Sequence, residues 1–213
     1  SRRAAMQAAA GICLACAAAG LAIEVPVGVP RPARASPSRF PVVDAVSFSA
    51  PFDNVNAYTG ERIIDHWDLG GAAMVHRNFL RLTSDAQGHR GWVTNDEPLP
   101  EGSWSAVLKF RVSGRNDHLY GDGMALWAVS NPSHMQGTVF GREDMWDGIG
   151  VFFDTFQNAD KSHHHKHPYI SVISNDGTHH YEPRDELGPP GAKEASKHAV
   201  PGREEGSGCS FDF

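Results

Sequence analysis

Oxygen-bearing groups follow an apolar run at alternate positions in Gly150–Asn158, GVFFDTFQN. Asp154 and Asn158 offer side-chain oxygens, and Phe156 between them can offer its backbone carbonyl. A hard cation such as calcium is bound by carboxylate, amide and backbone carbonyl oxygens. The same spacing is also typical of a turn in which Asp and Asn side chains accept hydrogen bonds from nearby backbone N–H groups. The spacing therefore leaves two interpretations open, a metal loop and a local turn.

Two further acidic loops adjoin apolar runs. Asp122 stands between two glycines in YGDGMALW, and flanking glycines permit backbone angles that can direct a carboxylate away from a strand end. The hairpin signal Asn175-Asp-Gly precedes YEPRD, which ends at Asp185. Three such loops predict one site at the edge of a sheet. Neutral sugars suit it, because carboxylates and amides accept hydroxyl hydrogen bonds and a ring such as Phe156 can cover the apolar sugar face.

Short period-two runs separated by turn residues predict the strands that position these loops. The clearest is Trp104–Val112, in which Trp104, Ala106, Leu108, Phe110 and Val112 share one face. Met124–Val129 and Ile149–Phe153 are nearly continuous apolar runs, which are typical of strands buried on both faces. Further strands are predicted at 73–75, 79–82, 91–93 and 169–174. The chain is therefore expected to be all-β, with two packed sheets.

Length and charge limit the possible classes of protein. The chain has 213 residues, enough for one domain, and its net charge of −6 argues against non-specific binding of nucleic acid. Residues 45–213 are predicted to form this domain after a linker at 36–44. Residues 188–208 are rich in proline, glycine and charge, so they are predicted to be a disordered insert.

Residues 1–35 are predicted to be a signal peptide or leader. Arg2 and Arg3 precede an uncharged run from Ala4 to Ile23, and Ala33-Arg-Ala35 could be a cleavage site. A single membrane anchor is the alternative. The run contains Cys13 and Cys16, whose C-x-x-C spacing lacks the strand–helix context of a redox motif. The third cysteine, Cys209, is either free or paired beyond Phe213.

The chain resembles the leguminous-type (L-type) lectin domain of the eukaryotic ER–Golgi cargo receptors. The resemblance extends from about Phe48 to Cys209. Its strongest segments, in order, are HWDLGGAAMV (66–75), FLRLTSD (79–85), WSAVLKFRVSGR (104–115), GDGMALW (121–127), VFGREDMWDGIGVFFDTFQNADK (139–161) and PYISVISNDG (168–177). It implies a concanavalin-like antiparallel β-sandwich (jelly roll), incomplete at the C-terminus. Cys209 would then pair with a cysteine beyond the chain end, and missing strands would weaken glycan binding.

The resemblance also implies site residues. Calcium would be held by Asp154, the Phe156 carbonyl, Asn158 and Asp185, and one ion is expected. Asp122 and Asn158 would hydrogen-bond mannose, with Phe156 and Asp185 also at the carbohydrate site. The Gly121–Asp122 peptide would be cis.

Three departures from the family pattern affect these assignments. The segment Tyr181–Asp185 is one residue short and lacks the family's sugar-contacting histidine. Gln157 and Ala159 replace the acids that bind a second ion in some members. Arg90 and Trp92 flank Gly91, where the family has a small polar residue.

The implied function is calcium-dependent binding of high-mannose N-glycans on glycoproteins, as a cargo receptor in ER–Golgi protein transport. The location would be the lumen of the secretory pathway, in the ER–Golgi intermediate compartment or at the Golgi membrane. Membrane association would come from a C-terminal anchor absent from this chain. A non-binding lectin-like scaffold or fragment is the alternative.

Two other chemistries receive less support from the residues. A glycoside hydrolase needs two carboxylates across a cleft, but Glu143 and Asp144 are adjacent and would point apart in an extended chain. The chain is therefore not expected to be an enzyme. Clustered imidazoles at His163–His167 could bind a transition metal, although such runs also form solvated loops.

Overall fold

The computed structural model describes residues 41–114, 121–132, 135–156 and 168–182, and the backbone of strands at 11–19, 22–26 and 207–210. These residues form twelve β-strands and one 3-10 helix at Asp44–Val46, with no α-helix among them. The strands are β1 Gly11–Ala19, β2 Ala22–Pro26, β3 Asp68–Gly71, β4 Met74–Val75, β5 Phe79–Arg81, β6 His89–Asn95, β7 Arg111–Ser113, β8 Gly121–Val129, β9 Met135–Val139, β10 Asp147–Asp154, β11 Tyr169–Asp176 and β12 Ser207–Ser210.

Two antiparallel sheets hold eleven of these strands. The larger has seven strands in the order β12-β11-β10-β8-β1-β6-β3, and the smaller has four in the order β4-β5-β2-β7. All the pairings between these strands are antiparallel. The predicted all-β class with two packed sheets is confirmed.

One hydrophobic core joins the two sheets. Leu80 of β5 packs in the same cluster as Val93 of β6, Met124 of β8 and Phe153 of β10. Alternate positions of each strand contribute to this core, because successive side chains point to opposite faces of a sheet.

A second core covers the other face of the seven-stranded sheet. Trp127 of β8 and Phe152 of β10 meet edge to face, with ring centroids 5.0 Å apart, and Trp146 packs on both. Phe140, in the connection between β9 and β10, joins the same cluster. Residues 124–129 are therefore covered on both faces of the sheet, as their continuous apolar run predicts.

The predicted strand Trp104–Val112 is wrong in extent. Strand β7 begins only at Arg111. Its one described neighbour is β2, and only three residue pairs join the two strands. The inward face is correct for Leu108, Phe110 and Val112, which pack against the core between the sheets. Trp104 is exposed, and Val107 is 83% exposed. A period-two pattern therefore marked the buried face but not the hydrogen-bonded length.

The first 35 residues contain two of the strands, β1 and β2. Removal of a leader is a processing step that a fold does not test, so the leader stays a prediction. None of the helices in the described part of the chain is long and apolar enough to cross a membrane. The insert predicted at 188–208 falls outside the described residues, apart from Ser207 and Gly208, which begin β12.

We predict that Leu80→Ala lowers the free energy of unfolding by about 2–5 kcal/mol, because the side chain is fully buried between the sheets. Urea denaturation of the whole chain measures the change. Val107→Ala is the matched control and should stay within about 0.5 kcal/mol of the parent, since its side chain is mostly exposed. Equal losses in the two variants would contradict this description of the core.

Candidate functional site

Asp122 and Asp154 lie at the same edge of the seven-stranded sheet. Asp122 is near the start of β8, and Asp154 ends β10. The antiparallel register pairs Asp154 with Gly123, the residue after Asp122. Two of the sequence-predicted acids are thus brought together by one ladder. The Gly121–Asp122 peptide is cis, which confirms that prediction.

The residues after β10 close over the start of β8. The backbone N–H and the hydroxyl of Thr155 both donate to the Asp122 carbonyl, at 3.1 and 3.2 Å. Phe156 stands against Gly121, since a Cβ built on that glycine would lie 2.8 Å from the Phe156 Cβ. A third predicted residue therefore joins the two acids.

Asp154 takes part in the local turn that its spacing allowed. The side chain is almost fully buried, and Oδ1 accepts a 2.9 Å hydrogen bond from the Phe156 N–H. This bond does not exclude a cation, because an ionised carboxylate has about four lone-pair sites on its two oxygens. The turn holds the Asp154 carboxylate at the strand end. The two interpretations of the spacing are therefore compatible.

Arg90 adds a positive charge that sequence reasoning did not assign to the site. Desolvation by the surrounding protein raises the pKa of Asp122, and the nearby Arg90 charge partly offsets that rise. Arg90 also donates to the Gly137 carbonyl at 3.2 Å, which directs its side chain along this part of the sheet. The sequence showed that Arg90 flanks Gly91, where the family has a small polar residue. Nothing in the sequence indicated that Arg90 and Asp122 are close.

Gly123 permits the close approach of β8 and β10. Its φ is +148°, in the range that side chains rarely adopt. An added Cβ would lie 2.2 Å from the Phe153 carbonyl oxygen and 3.1 Å from the Asp154 Cα. The second glycine of the Gly-Asp-Gly sequence is therefore required by the backbone that carries Asp154.

Asp144 anchors the segment that leads toward Asp185. Its Oδ1 accepts hydrogen bonds from the N–H groups of Tyr181 and Met145, and Oδ2 lies 2.9 Å from the His180 ring. Burial opposes ionisation, but these hydrogen bonds outweigh it, so the pKa of Asp144 lies below its usual 3.8. Its two oxygens thus have structural partners.

Tyr181 continues this segment across the sheet face. Its ring stacks on the ring of Phe152, with the two centroids 5.6 Å apart. Phe152 precedes Asp154 by two residues in β10. The described chain passes over the second core as far as Glu182.

A cavity of about 180 Å³ lies away from the predicted site. Its walls include Ser130, Arg142, Asp144 and Asp147. Asp147 begins β10 and Asp154 ends it, so the cavity adjoins the opposite end of that strand. It takes no part in the arrangement around Asp122.

Several predicted residues fall outside the described ranges. Asn158, Asp185 and His163–His167 are among them, and Cys209 is described only as backbone in β12, opposite Ile170. Among the side chains that are described, no three His, Cys, Asp or Glu residues form a cluster suited to a metal.

The two antiparallel sheets, with acids at the shared ends of β8 and β10, define a sandwich of the concanavalin type. The legume-like lectin family model matches residues 42–190, and the chain belongs to that family. The chain covers well under half the length of the curated relatives it matches.

Three human relatives illustrate the similarity. The VIP36-like protein of Homo sapiens is 37% identical over 138 residues, 64% of this chain and 38% of that protein. Vesicular integral-membrane protein VIP36 is 33% identical over 149 residues, 69% of this chain and 37% of that protein. Protein ERGIC-53 is 33% identical over 119 residues, 56% of this chain and 22% of that protein. No solved structure matches the chain.

We predict that Gly123→Ala destabilises the protein more than Gly60→Ala does. Both glycines have positive φ, but a Cβ at Gly60 meets no atom within 4 Å, whereas one at Gly123 overlaps the β10 backbone. Gly60→Ala should cost about 1–2 kcal/mol from the backbone conformation alone. Urea denaturation compares the two variants, and equal losses would show that the β8–β10 contact is looser than described.

We also predict a pH dependence from Asp144. A folded-state pKa below the unfolded value, about 3.9, contributes stability that is present above that value and is lost as pH falls through the folded pKa. The stability difference between the parent and Asp144→Asn should therefore be present above pH of about 4 and shrink below it. The other carboxylates titrate in both proteins, so their contributions to the difference in unfolding free energy cancel. A difference that stayed constant to pH of about 2 would contradict the prediction.

Proposed function

We propose that this protein binds high-mannose N-glycans of glycoproteins in a calcium-dependent manner. The observation that supports this most strongly is the register that puts Asp122 beside Asp154 at one sheet edge. Membership of the legume-like lectin family agrees with a carbohydrate ligand.

The residues of the β10 end fit a calcium ion by their chemistry. Asp154 offers a carboxylate and Phe156 a backbone carbonyl, and hard oxygen donors of this kind are the ligands that calcium prefers. The turn between Asp154 Oδ1 and the Phe156 N–H fixes the carboxylate in place. Asn158 and Asp185 would supply the remaining protein oxygens, as the family resemblance implies. A bound ion would hold these side chains in the orientation that receives the sugar.

The sugar would be held by groups of this chain on both sides of the ion loop. The ionised Asp122 carboxylate accepts hydrogen bonds from sugar hydroxyls, and Arg90 favours its ionised form. The Asn158 amide can both donate and accept. Phe156 stands beside Gly121 and offers an apolar ring next to these polar groups.

A role in transport of glycoproteins between the ER and the Golgi is part of the proposal. The relatives named vesicular integral-membrane protein VIP36 and ERGIC-53 support a location in the secretory pathway. Because the chain covers a minor part of each relative, cargo choice and membrane attachment are assigned here by similarity alone. We propose a binding protein rather than an enzyme, and Asp144 is engaged by backbone and histidine donors instead of facing a substrate.

We predict that the whole chain binds calcium and that Asp154→Ala weakens this binding by more than about tenfold, about 1.4 kcal/mol. The reason is the loss of a charged ligand oxygen from the ion loop. Isothermal titration calorimetry measures calcium first and mannose second. Asp147→Ala is the matched control, since it removes an exposed carboxylate from the other end of the same strand.

Asp122→Ala separates the sugar site from the ion site. We predict that this variant keeps calcium affinity near that of the parent and loses mannose binding, because Asp122 accepts sugar hydroxyls without holding the ion. Calorimetry in saturating calcium is the measurement. Mannose binding retained in Asp122→Ala would contradict the assignment of this carboxylate. A folded parent protein that binds neither calcium nor mannose would favour the alternative of a non-binding scaffold.

A further inference from the structure

Thr155 joins the end of β10 to the residue of β8 that carries the candidate sugar carboxylate. Its backbone N–H donates to the Asp122 carbonyl at 3.1 Å, and its side-chain hydroxyl donates to the same oxygen at 3.2 Å. A backbone carbonyl has two lone pairs, so it can accept both hydrogen bonds. One residue therefore makes two bonds to a single backbone atom of Asp122.

These bonds lie just beyond the regular β8–β10 ladder. The last residue pair at this end of the ladder is Gly123 with Asp154, so Asp122 has no ladder partner in the described part of β10. Thr155 takes the place of the missing pair. Half of this connection comes from a side chain, so it depends on a hydroxyl at position 155.

The residues on either side of Asp122 contact the same segment by packing. A Cβ on Gly121 would lie 2.8 Å from the Phe156 Cβ, and a Cβ on Gly123 would overlap the β10 backbone. Three consecutive residues at the start of β8 are therefore placed against the end of β10. The middle one carries the carboxylate, and the hydrogen bonds of Thr155 hold its backbone.

The position of the Asp122 carboxylate depends on that backbone. Among the described residues, burial and the Arg90 charge are what shift the pKa of this carboxyl, and no side chain or N–H group donates a hydrogen bond to it. Binding groups must be held within about 0.5 Å of their productive geometry. A shift of the Asp122 backbone should therefore lower the affinity for a sugar hydroxyl.

We propose that Thr155 is a positioning residue of the sugar site, whose hydroxyl fixes the Asp122 backbone from the end of β10. This inference rests on the proposed glycan binding and adds a residue outside the expected sugar and ion ligands. The orientation of Asp122 is then built into the chain before an ion binds. The alternative is that the hydroxyl only completes the strand end, so that its loss would leave sugar binding unchanged.

Two substitutions at position 155 separate the hydroxyl from the shape of the side chain. Thr155→Val keeps the branched shape without the hydroxyl, whereas Thr155→Ser keeps the hydroxyl without the methyl group. Thr178→Val is the matched control. The Thr178 hydroxyl donates to Asp176 Oδ1 at 2.6 Å, and Asp176 pairs with Asp147 at the opposite end of β10.

Calorimetry on the whole chain in saturating calcium measures mannose binding. We expect Thr155→Val to weaken it by about threefold to tenfold, the effect of one lost hydrogen bond, and Thr155→Ser and Thr178→Val to bind like the parent. Calcium binding should weaken less than mannose binding in Thr155→Val, because the hydroxyl bonds Asp122 rather than the ion loop.

Three calorimetric results would overturn the proposal. The first is a mannose affinity of Thr155→Val equal to that of the parent. The second is an equal loss in Thr155→Ser or in Thr178→Val, because the missing hydroxyl at position 155 would then not be the cause. The third is a larger loss of calcium affinity than of mannose affinity in Thr155→Val, which would place the effect in the ion loop.

Hydrogen exchange followed by NMR in calcium-free buffer reads the same contact without a ligand. The amide of residue 155 donates to the Asp122 carbonyl, and we expect its protection factor to fall more than about threefold in Thr155→Val but not in Thr155→Ser. Unchanged protection would overturn the proposal. A parent that binds no mannose would refute the proposed glycan binding, whereas the exchange comparison would still decide whether the hydroxyl holds Asp122.

Discussion

The site depends on one constraint, the antiparallel register that pairs Gly123 of β8 with Asp154 of β10. A shift of one residue would turn Asp154 to the opposite face of the sheet and would also reverse the two cores, because strand side chains alternate. The register is held by Phe153 in one core and Phe152 in the other. Burial on both faces of β10 thus fixes the ligand position at its end.

The residues around this junction extend the same constraint. Gly123 lets the backbones approach, Thr155 hydrogen-bonds the Asp122 carbonyl, and Phe156 packs against Gly121. Asp144 holds the Tyr181 segment against the second core, so the chain after β11 is directed across the sheet. Asp144 therefore only fixes backbone geometry, whereas Asp154 both fixes the turn at Phe156 and would meet the ion.

Strand identity was readable from the sequence wherever alternation or apolar runs reflected burial, as in Met124–Val129. Alternation did not predict the length of the ladder in Trp104–Val112, because hydrogen bonding requires a neighbouring strand and β2 pairs with only three residues of β7. The β1 segment belongs to an uncharged run, rich in Ala, Leu, Ile and Cys, that follows two arginines, so it indicated a leader. The approach of Asp122 to Asp154 depends on pairing between distant segments, and it was predicted from the place of both acids beside apolar runs and from the family resemblance. The closeness of Arg90 to Asp122 was not predicted, because it depends on the order of the strands: β6 carries Arg90, β8 carries Asp122, and β1 lies between them.

The most direct test of the central claim is a crystal structure of the whole chain grown with calcium and soaked in mannose. The account predicts an ion 2.3–2.6 Å from a carboxylate oxygen of Asp154 and from the Phe156 carbonyl, the usual calcium distances. It also predicts a sugar hydroxyl within about 3 Å of Asp122. A folded sandwich with the same β8–β10 register, saturating calcium and no ion at Asp154 would contradict it.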